Sequence, residues 1–360
     1  MKILVNATAN DSRGPFSITD SFLYEMSQNQ DYLRSNSLEL YIIVSRKELC
    51  KYNSEVVKVK YINFPKKSMV HKWIFENIVL PRKIKKLNFG VYLSLQNLGL
   101  NRTRVKQYVL IHTPLPFSDL KLKDIEIKNY IKYRILLKSI LKKQISKMNG
   151  IIVQTHWMEE AIRHNFPCNG KIKVIRPQVE DIAKKNRDLD ENLKKILDTE
   201  SIKLFYPTNK EKYKNNERVL EAVKLYNRRN TNKIKLIITL DGDSNKDINY
   251  VSRVEYESMF NIYKAVDALI FPSLNETLGL PLIEAKQANL PRLVSDLPYA
   301  REICGETARY FNPFSIEDMI RCISEFIKSK DNLEQRTVGN SIPESSYMDY
   351  IEFILEDYHK

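Results

Sequence analysis

The stretch FPSLNETLGLPLIEA, Phe271 to Ala285, joins an apolar strand end to a polar loop, one glycine and one proline ahead of a helix, and carries two carboxylates, Glu276 and Glu284. The pattern predicts a strand from Asp267 to Pro272, a loop from Ser273 to Leu280 and a helix with Pro281 at its first position, where the missing N–H loses nothing. A helix start beyond the carboxyl end of a strand offers free N–H groups and a partial positive charge, a natural seat for phosphate, and Gly279 permits close backbone approach. An acid in the first turn would by itself only complement the helix dipole. That accounts for Glu284 and leaves Glu276 unexplained. Beside a diphosphate a carboxylate is repelled unless it faces hydroxyls that donate to it. Two carboxylates around a phosphate seat therefore point to a ligand with polyols on both sides of a diphosphate, which is the form of a nucleotide sugar.

The rest of the chain supplies the frame for such a site. Short β-branched runs alternate with amphipathic segments: KILVN, LELYIIV, VVKVKYI, GVYLSL, KQYVLIH and GIIVQ in the first half, then IKLFYP, KIKLIITL, DALIFPS and PRLVSD. This predicts an α/β protein of parallel sheets covered by helices. At 360 residues the chain exceeds one ordinary core, so two domains are expected. The charged stretch from Pro177 to Ser201 reads as the linker, with the boundary near Val179 to Asp190. The expected domains are 1–180 and 190–345, with 346–360 as a terminal amphipathic helix in which Met348, Ile351, Phe353, Ile354 and Leu355 share a side.

Charge separates the halves. Residues 1–180 hold 31 Lys and Arg against 14 Asp and Glu, whereas the remainder is nearly neutral. The excess concentrates in two helix-like segments, Lys66 to Lys86 and Lys128 to Lys147. In the second, Ile131, Ile135, Leu136, Ser139, Ile140 and Ile145 fall near helical spacing, with Lys132, Arg134, Lys138, Lys142 and Lys143 on other sides. Two readings stay open: a solvated helix over a domain core, or contact with an anionic membrane surface. Nucleic acid is not expected as a partner, since no zinc-finger spacing, aromatic RNA-binding signature or helix-turn-helix is present. The apolar N-terminal run is too short for a signal peptide and no apolar run reaches membrane-spanning length, so a cytoplasmic or peripheral protein is expected. Cys50, Cys168, Cys304 and Cys322 are scattered, without disulfide or metal-ligand spacing. The loop NATANDSRGPFS lacks the G-x-G-x-x-G fingerprint, which argues against a nicotinamide or flavin enzyme.

Glu276, seven intervening residues and Glu284, followed by SDLPYAREICGETARYFNP, closely resemble the donor-binding motif of the family 4 retaining glycosyltransferases of the GT-B fold. The resemblance is specific over Lys203 to Pro313. It implies two doubly wound Rossmann-like domains facing a cleft, with the last helix crossing back to the first. It further implies that Glu276 lies by the donor sugar, that Glu284 binds ribose hydroxyls, and that the amides of Thr277, Leu278, Gly279 and Leu280 hold the diphosphate. The family's Lys matches Lys214, here followed by Asn rather than the commoner Gly. Its Arg position falls near Thr208 or Asn209, with Lys210 and Lys212 close by, which leaves the second cation open. A further departure is Asn289-Leu290-Pro291, where relatives often have Gly before Pro. In the first domain the resemblance assigns His112 to the donor sugar and makes Arg13, Gly14 and Ser17 acceptor-side contacts. His156 reads as the first residue of a helix, and Asp241-Gly242-Asp243 as a turn.

The implied activity is transfer of a sugar from a nucleoside diphosphate sugar to an acceptor hydroxyl with retention, with Glu276, His112 and Lys214 as catalytic groups. Neither a cofactor nor a metal is expected. The cationic first domain suits a glycan or lipid-linked acceptor at the inner membrane face, in capsule, O-antigen or other polysaccharide assembly. The alternatives are a sugar-nucleotide epimerase or phosphorylase on the same fold, or a non-catalytic nucleotide-sugar-binding protein.

Overall fold

The computed structural model describes residues 1–11, 13–168, 170–177, 179–184, 187–329 and 345–358. The chain divides into two compact units. One comprises Met1–Phe117, Lys132–Gln178 and Pro343–Lys360, and the other Ser118–Ile131 and Val179–Ile342. Ser118–Ile131, which chain order alone would leave with the first half, thus groups with the second unit.

Among the described residues the first unit holds seven parallel strands: β1 (Lys2–Ala7), β2 (Glu39–Val44), β3 (Val57–Tyr61), β4 (Val91–Ser94), β5 (Lys106–Leu110), β6 (Gly150–Val153) and β7 (Lys171–Val174), in the order β3-β2-β1-β4-β5-β6-β7. β4 and β6 are buried throughout, which suits sheets covered on both sides. The terminal helix Met348–Tyr358 belongs to this unit and buries Met348, Tyr350, Ile351, Phe353 and Ile354 in its core. Glu25 accepts hydrogen bonds from the N–H groups of Tyr347 and Met348 at 3.0 and 3.1 Å, satisfying the start of that helix. At its other end Tyr108 donates to Asp357 at 2.6 Å, and the Tyr108 and Phe353 rings meet edge to face. Gly150 makes that contact possible, because a Cβ there would lie 2.5 Å from Tyr108 and 2.7 Å from Phe353.

Among the described residues the second unit holds six parallel strands: β8 (Ile202–Tyr206), β9 (Ile234–Ile238), β10 (Ile248–Tyr250), β11 (Ala268–Phe271), β12 (Arg292–Ser295) and β13 (Arg309–Phe311), in the order β10-β9-β8-β11-β12-β13. Each sheet therefore reverses its direction of winding once, between β1 and β4 in the first and between β8 and β11 in the second. The expected linker contains the short helix Glu191–Leu197, capped by Asp190, with Leu193 and Leu197 buried.

Three strands escaped the sequence reading: β7, β10 and β13. All are edge strands of three or four residues, and the side chains of β7 are only partly buried or exposed, so no apolar run marks it. The second basic segment is helical as expected over 127–144, but Ile131, Ile135, Leu136 and Ile140 are exposed, and only Leu141, Gln144 and Ile145 are buried. The run lies over the core of the first unit through Leu141 and Ile145, while its earlier apolar side chains stay uncovered. Helical periodicity groups residues on one side without saying whether that side packs.

Candidate functional site

Ligands of open parallel sheets bind beyond the carboxyl ends of the strands, at the point where the strand order reverses. In the second unit that point lies between β8 and β11, and the loops that follow these two strands carry the predicted donor residues. After β8, Thr208 N–H donates to Thr239 Oγ1 at 2.7 Å and Thr208 Oγ1 to Asn216 Oδ1 at 3.0 Å, while the Asn209 carbonyl accepts from Asn216 at 2.7 Å. Thr208 and Asn209 thus shape the loop from within. Lys210 pairs with Asp241 at the surface, 2.9 Å away.

The turn Lys212–Lys214 ends on Asn215, which is left-handed at φ 63°. This accounts for the departure from Gly, since Asn tolerates the left-handed region better than most residues. Its buried amide donates to the carbonyls of Pro272 and Pro313 at 3.1 and 2.7 Å, so Asn215 also ties the β8 loop to the β11 loop. Asn289 resolves the other departure in the same way. It is left-handed at φ 54° just past the helix Leu280–Gln287, where its N–H reaches the Lys286 carbonyl.

Lys214 and Glu276 are brought together. Lys214 Nζ lies 2.5 Å from Glu276 Oε1, which also accepts from Ser273 Oγ at 2.7 Å, and both charged side chains are largely buried. Tyr299 donates to the Ser273 carbonyl at 2.7 Å and Tyr206 to that of Lys214 at 2.5 Å, so each partner is braced from beneath. Between Ser273 and Glu276, Asn275 Nδ2 is buried with no hydrogen-bond partner among the described residues. An unpaired buried donor costs about 1–3 kcal/mol, so this loop is not shaped for its own stability alone.

Gly279 precedes the helix Leu280–Gln287 at φ 64° and ψ 62°, so the glycine is needed for its left-handed backbone as well as for approach. Pro281 lies at the helix start as expected. Thr277 and Leu278 lead into Gly279 with Leu278 buried, whereas Leu280 is exposed. Glu284 is the fifth helical residue rather than a first-turn acid, and it is buried. Complementing the helix dipole does not explain it. It accepts from Tyr263 Oη at 2.7 Å, and burial pushes its carboxyl above the usual range.

Sequence reasoning missed the groups that hold this loop pair. Asp124, buried on the Ser118–Ile131 segment, pairs with Arg218 at 2.8 Å, and Arg218 donates to Asn215 Oδ1 at 2.6 Å. Glu126 accepts from the Lys212 N–H at 2.6 Å, and Asn129 donates to Glu211 at the same distance. Arg218 is engaged with Asp124, so Lys214 is the cation that reaches Glu276. No local pattern signals a contact between residues so far apart in sequence.

In the first unit the strand order reverses between β1 and β4. Ala9 N–H donates to Gln96 Oε1 at 2.9 Å, and Gln96 Nε2 to Glu76 Oε1 at 2.7 Å, where burial pushes the carboxyl of Glu76 up. His112 follows β5. Its N–H donates to Asn97 Oδ1 at 2.8 Å, and its ring Nε2 lies 3.3 Å from Asn97 Nδ2. Protein packed around the ring lowers its pKa to about 4, so His112 is neutral at pH 7. Gly14 and Ser17 fall in the first turns of the helix Arg13–Gln28, and the space where a Cβ on Gly14 would sit is open to 4 Å. The Arg13 side chain lies outside the described residues. His156 opens the helix His156–Asn165 as expected.

Residues 188–341 match the family model "Glycosyl transferases group 1". Among curated relatives, the serotype-specific mannosyltransferase WbdA of Escherichia coli is 36% identical over 83 residues, 23% of this chain and 10% of the relative. The O-antigen chain mannosyltransferase RfbU of Salmonella typhimurium is 30% identical over 123 residues, 30% of this chain and 35% of the relative. The chain thus spans a minor part of either relative. Among solved structures, Anabaena HepE in complex with UDP and glucose matches with a TM-score of 0.64 at 12% identity, covering 100% of this chain and 99% of that one. At that identity the match shows the fold: two parallel sheets with helices, in the GT-B manner.

Proposed function

We propose that this chain, whose residues 188–341 match the model of the glycosyl transferases group 1, transfers a sugar from a nucleoside diphosphate sugar to an acceptor hydroxyl in cell-surface polysaccharide assembly. The observation that carries the reading is the Lys214–Glu276 contact at the strand-order reversal of the second sheet, immediately ahead of the Gly279 helix start. A cation, a row of loop amides and a helix N-terminus favour a diphosphate, and the two carboxylates on either side favour hydroxyl groups.

On this reading Glu284 accepts from ribose hydroxyls, Glu276 from a donor-sugar hydroxyl, and neutral His112 contributes a hydrogen bond without charge. Lys214 exchanges Glu276 for the diphosphate when donor binds. The bond from the anomeric carbon to the diphosphate oxygen breaks while the acceptor oxygen bonds to the same face of that carbon, which retains configuration. The acceptor proton passes to the departing diphosphate oxygen. Lys214, the amides of Thr277 to Leu280 and the helix start then stabilise charge that grows only as the leaving group departs, which is the useful kind of stabilisation. With those groups supplying the positive charge, the reading requires neither a metal nor a cofactor. The names of WbdA and RfbU make a mannosyl donor the first to test, and the acceptor is read as a glycan or lipid-linked glycan at the cytoplasmic membrane face.

The test is product analysis with donor alone, with donor and acceptor, and with chelator added. Retained-anomer product that needs acceptor and survives chelation supports the proposal. A changed donor sugar without acceptor would establish an epimerase instead.

A further inference from the structure

Two helical runs leave large apolar side chains of the first unit uncovered. On 69–86, Met69, Val70 and Trp73 are 82%, 63% and 54% exposed, and on the run that ends at Gln144, Ile135, Leu136 and Ile140 are 40–55% exposed. Both runs widen to π geometry along their course, at Phe75–Val79 and at Tyr130–Leu137. They lie beside each other, because Asn101 bonds to Asn77 on one, at 3.4 Å, and to Gln144 on the other, at 3.2 Å. The apolar residues are set among cations: Lys67, Lys85, Lys86, Lys132, Lys142 and Lys143 are exposed. Lys67, Lys142 and Lys143 form no ion pair among the described residues. Ile127 to Met158 contains no Asp or Glu at all.

A solvated helix shows charge outward and apolar residues inward, and a partner-binding face shows an apolar centre with charges of both signs around it. Here apolar residues and unpaired cations point outward together, with almost no acid among them. That combination fits one class of partner, an anionic lipid surface, where apolar side chains enter the acyl boundary and the ammonium groups remain at the headgroups. Trp73 is suited to that boundary, with an apolar body and one polar N–H. No helix among the described residues is long and apolar enough to cross a membrane, so the contact would be one of lying on the surface. We propose that Met69, Val70, Trp73, Ile135, Leu136 and Ile140, with Lys142 and Lys143, form the face by which the first unit docks on an anionic bilayer. This deepens the proposed function, on which it rests only for what the docking serves: delivery of a lipid-linked acceptor.

The experiment is flotation of the full chain with phosphatidylglycerol vesicles and with phosphatidylcholine vesicles. Three proteins are compared: the wild type, the set Trp73→Ser, Ile135→Ser, Leu136→Ser and Ile140→Ser, and the pair Lys142→Gln and Lys143→Gln. Wild type should float with the anionic vesicles, less so at high salt, and the paired Lys variant should lose about ten-fold or more in affinity. The apolar variant should leave the vesicles at any salt, and the wild-type tryptophan emission should shift to the blue only with anionic lipid. Nucleoside diphosphate binding, followed by thermal shift, should be unchanged in both variants. Absence of wild-type binding, or equal binding by all three proteins, would overturn the proposal. So would a lipid-free dimer, seen by light scattering, that the apolar variant dissolves, because a second copy would then own the face. Vesicle binding by a protein that binds no nucleoside diphosphate would sink the proposed function and leave the docking face standing.

Discussion

Glu284 is a carboxylate kept in protein packing against Tyr263, and its burial raises its pKa above 4.5. A group whose folded pKa is raised holds its proton more tightly in the folded state. Its contribution to stability is full below the unfolded value and is lost as pH rises through the folded one. On the proposed function ligand binding runs the other way, because only the ionised carboxylate would accept from two ribose hydroxyls. As pH rises above 4.5, nucleotide affinity should therefore rise while the stability of the free protein falls. Glu284→Gln should flatten both trends, with thermal denaturation and nucleotide titration across that range as the measurements. The motif's spacing was legible in the sequence, and so was the polarity of its surroundings. That Glu284 lies in the second turn, buried and bonded to a tyrosine far back in the chain, was not, because that contact is made by tertiary packing.

The element that presents these side chains is a loop entering a helix, and its geometry rests on left-handed residues. Gly279 at φ 64° is the one that a side chain would strain: a Cβ would lie 3.1 Å from Leu282 Cδ1, and the left-handed backbone adds roughly 1–2 kcal/mol for an L-residue. Gly279→Ala should lower stability by about that much in chemical denaturation and weaken nucleoside diphosphate binding as well. Asn289→Gly, at the left-handed position past the other end of the same helix, should leave both close to wild type. Of the sheet elements, the central strands announce themselves by β-branched runs. β7, β10 and β13 do not, since an edge strand needs few apolar residues and borrows its register from a neighbour. Asn215 is instructive in the same sense. By pattern it is a departure from Gly, yet in the fold it supplies a left-handed backbone and adds one hydrogen bond to the loop after β11 and one to the loop after β13.

At the scale of the whole chain, two doubly wound units follow from alternating strands and helices, and the residues that cross between halves in sequence are what the pattern hides. The terminal helix depends on Gly150, where β6 passes beneath Tyr108 and Phe353. Gly150→Ala forces a methyl into filled space and should cost about 1–3 kcal/mol by overpacking. Limited proteolysis should then cut first at the terminal helix, and a variant cleaved no faster than wild type would show that the helix is held elsewhere. The segment Ser118–Ile131 makes the complementary point: Asp124 and Glu126 travel from the first half of the sequence to brace the turn that carries Lys214.

The central claim is that Lys214, freed from Glu276, holds the diphosphate of a nucleotide at the reversal point of the second sheet. Calorimetric titration of nucleoside diphosphates into wild type and Lys214→Ala tests it most directly. A hydrogen-bonded charge of this kind is worth about 1.5–3 kcal/mol, so the variant should bind roughly 10-fold to 100-fold more weakly, with the corresponding nucleoside bound equally by both proteins. Equal nucleoside diphosphate affinity in the two proteins would contradict the account.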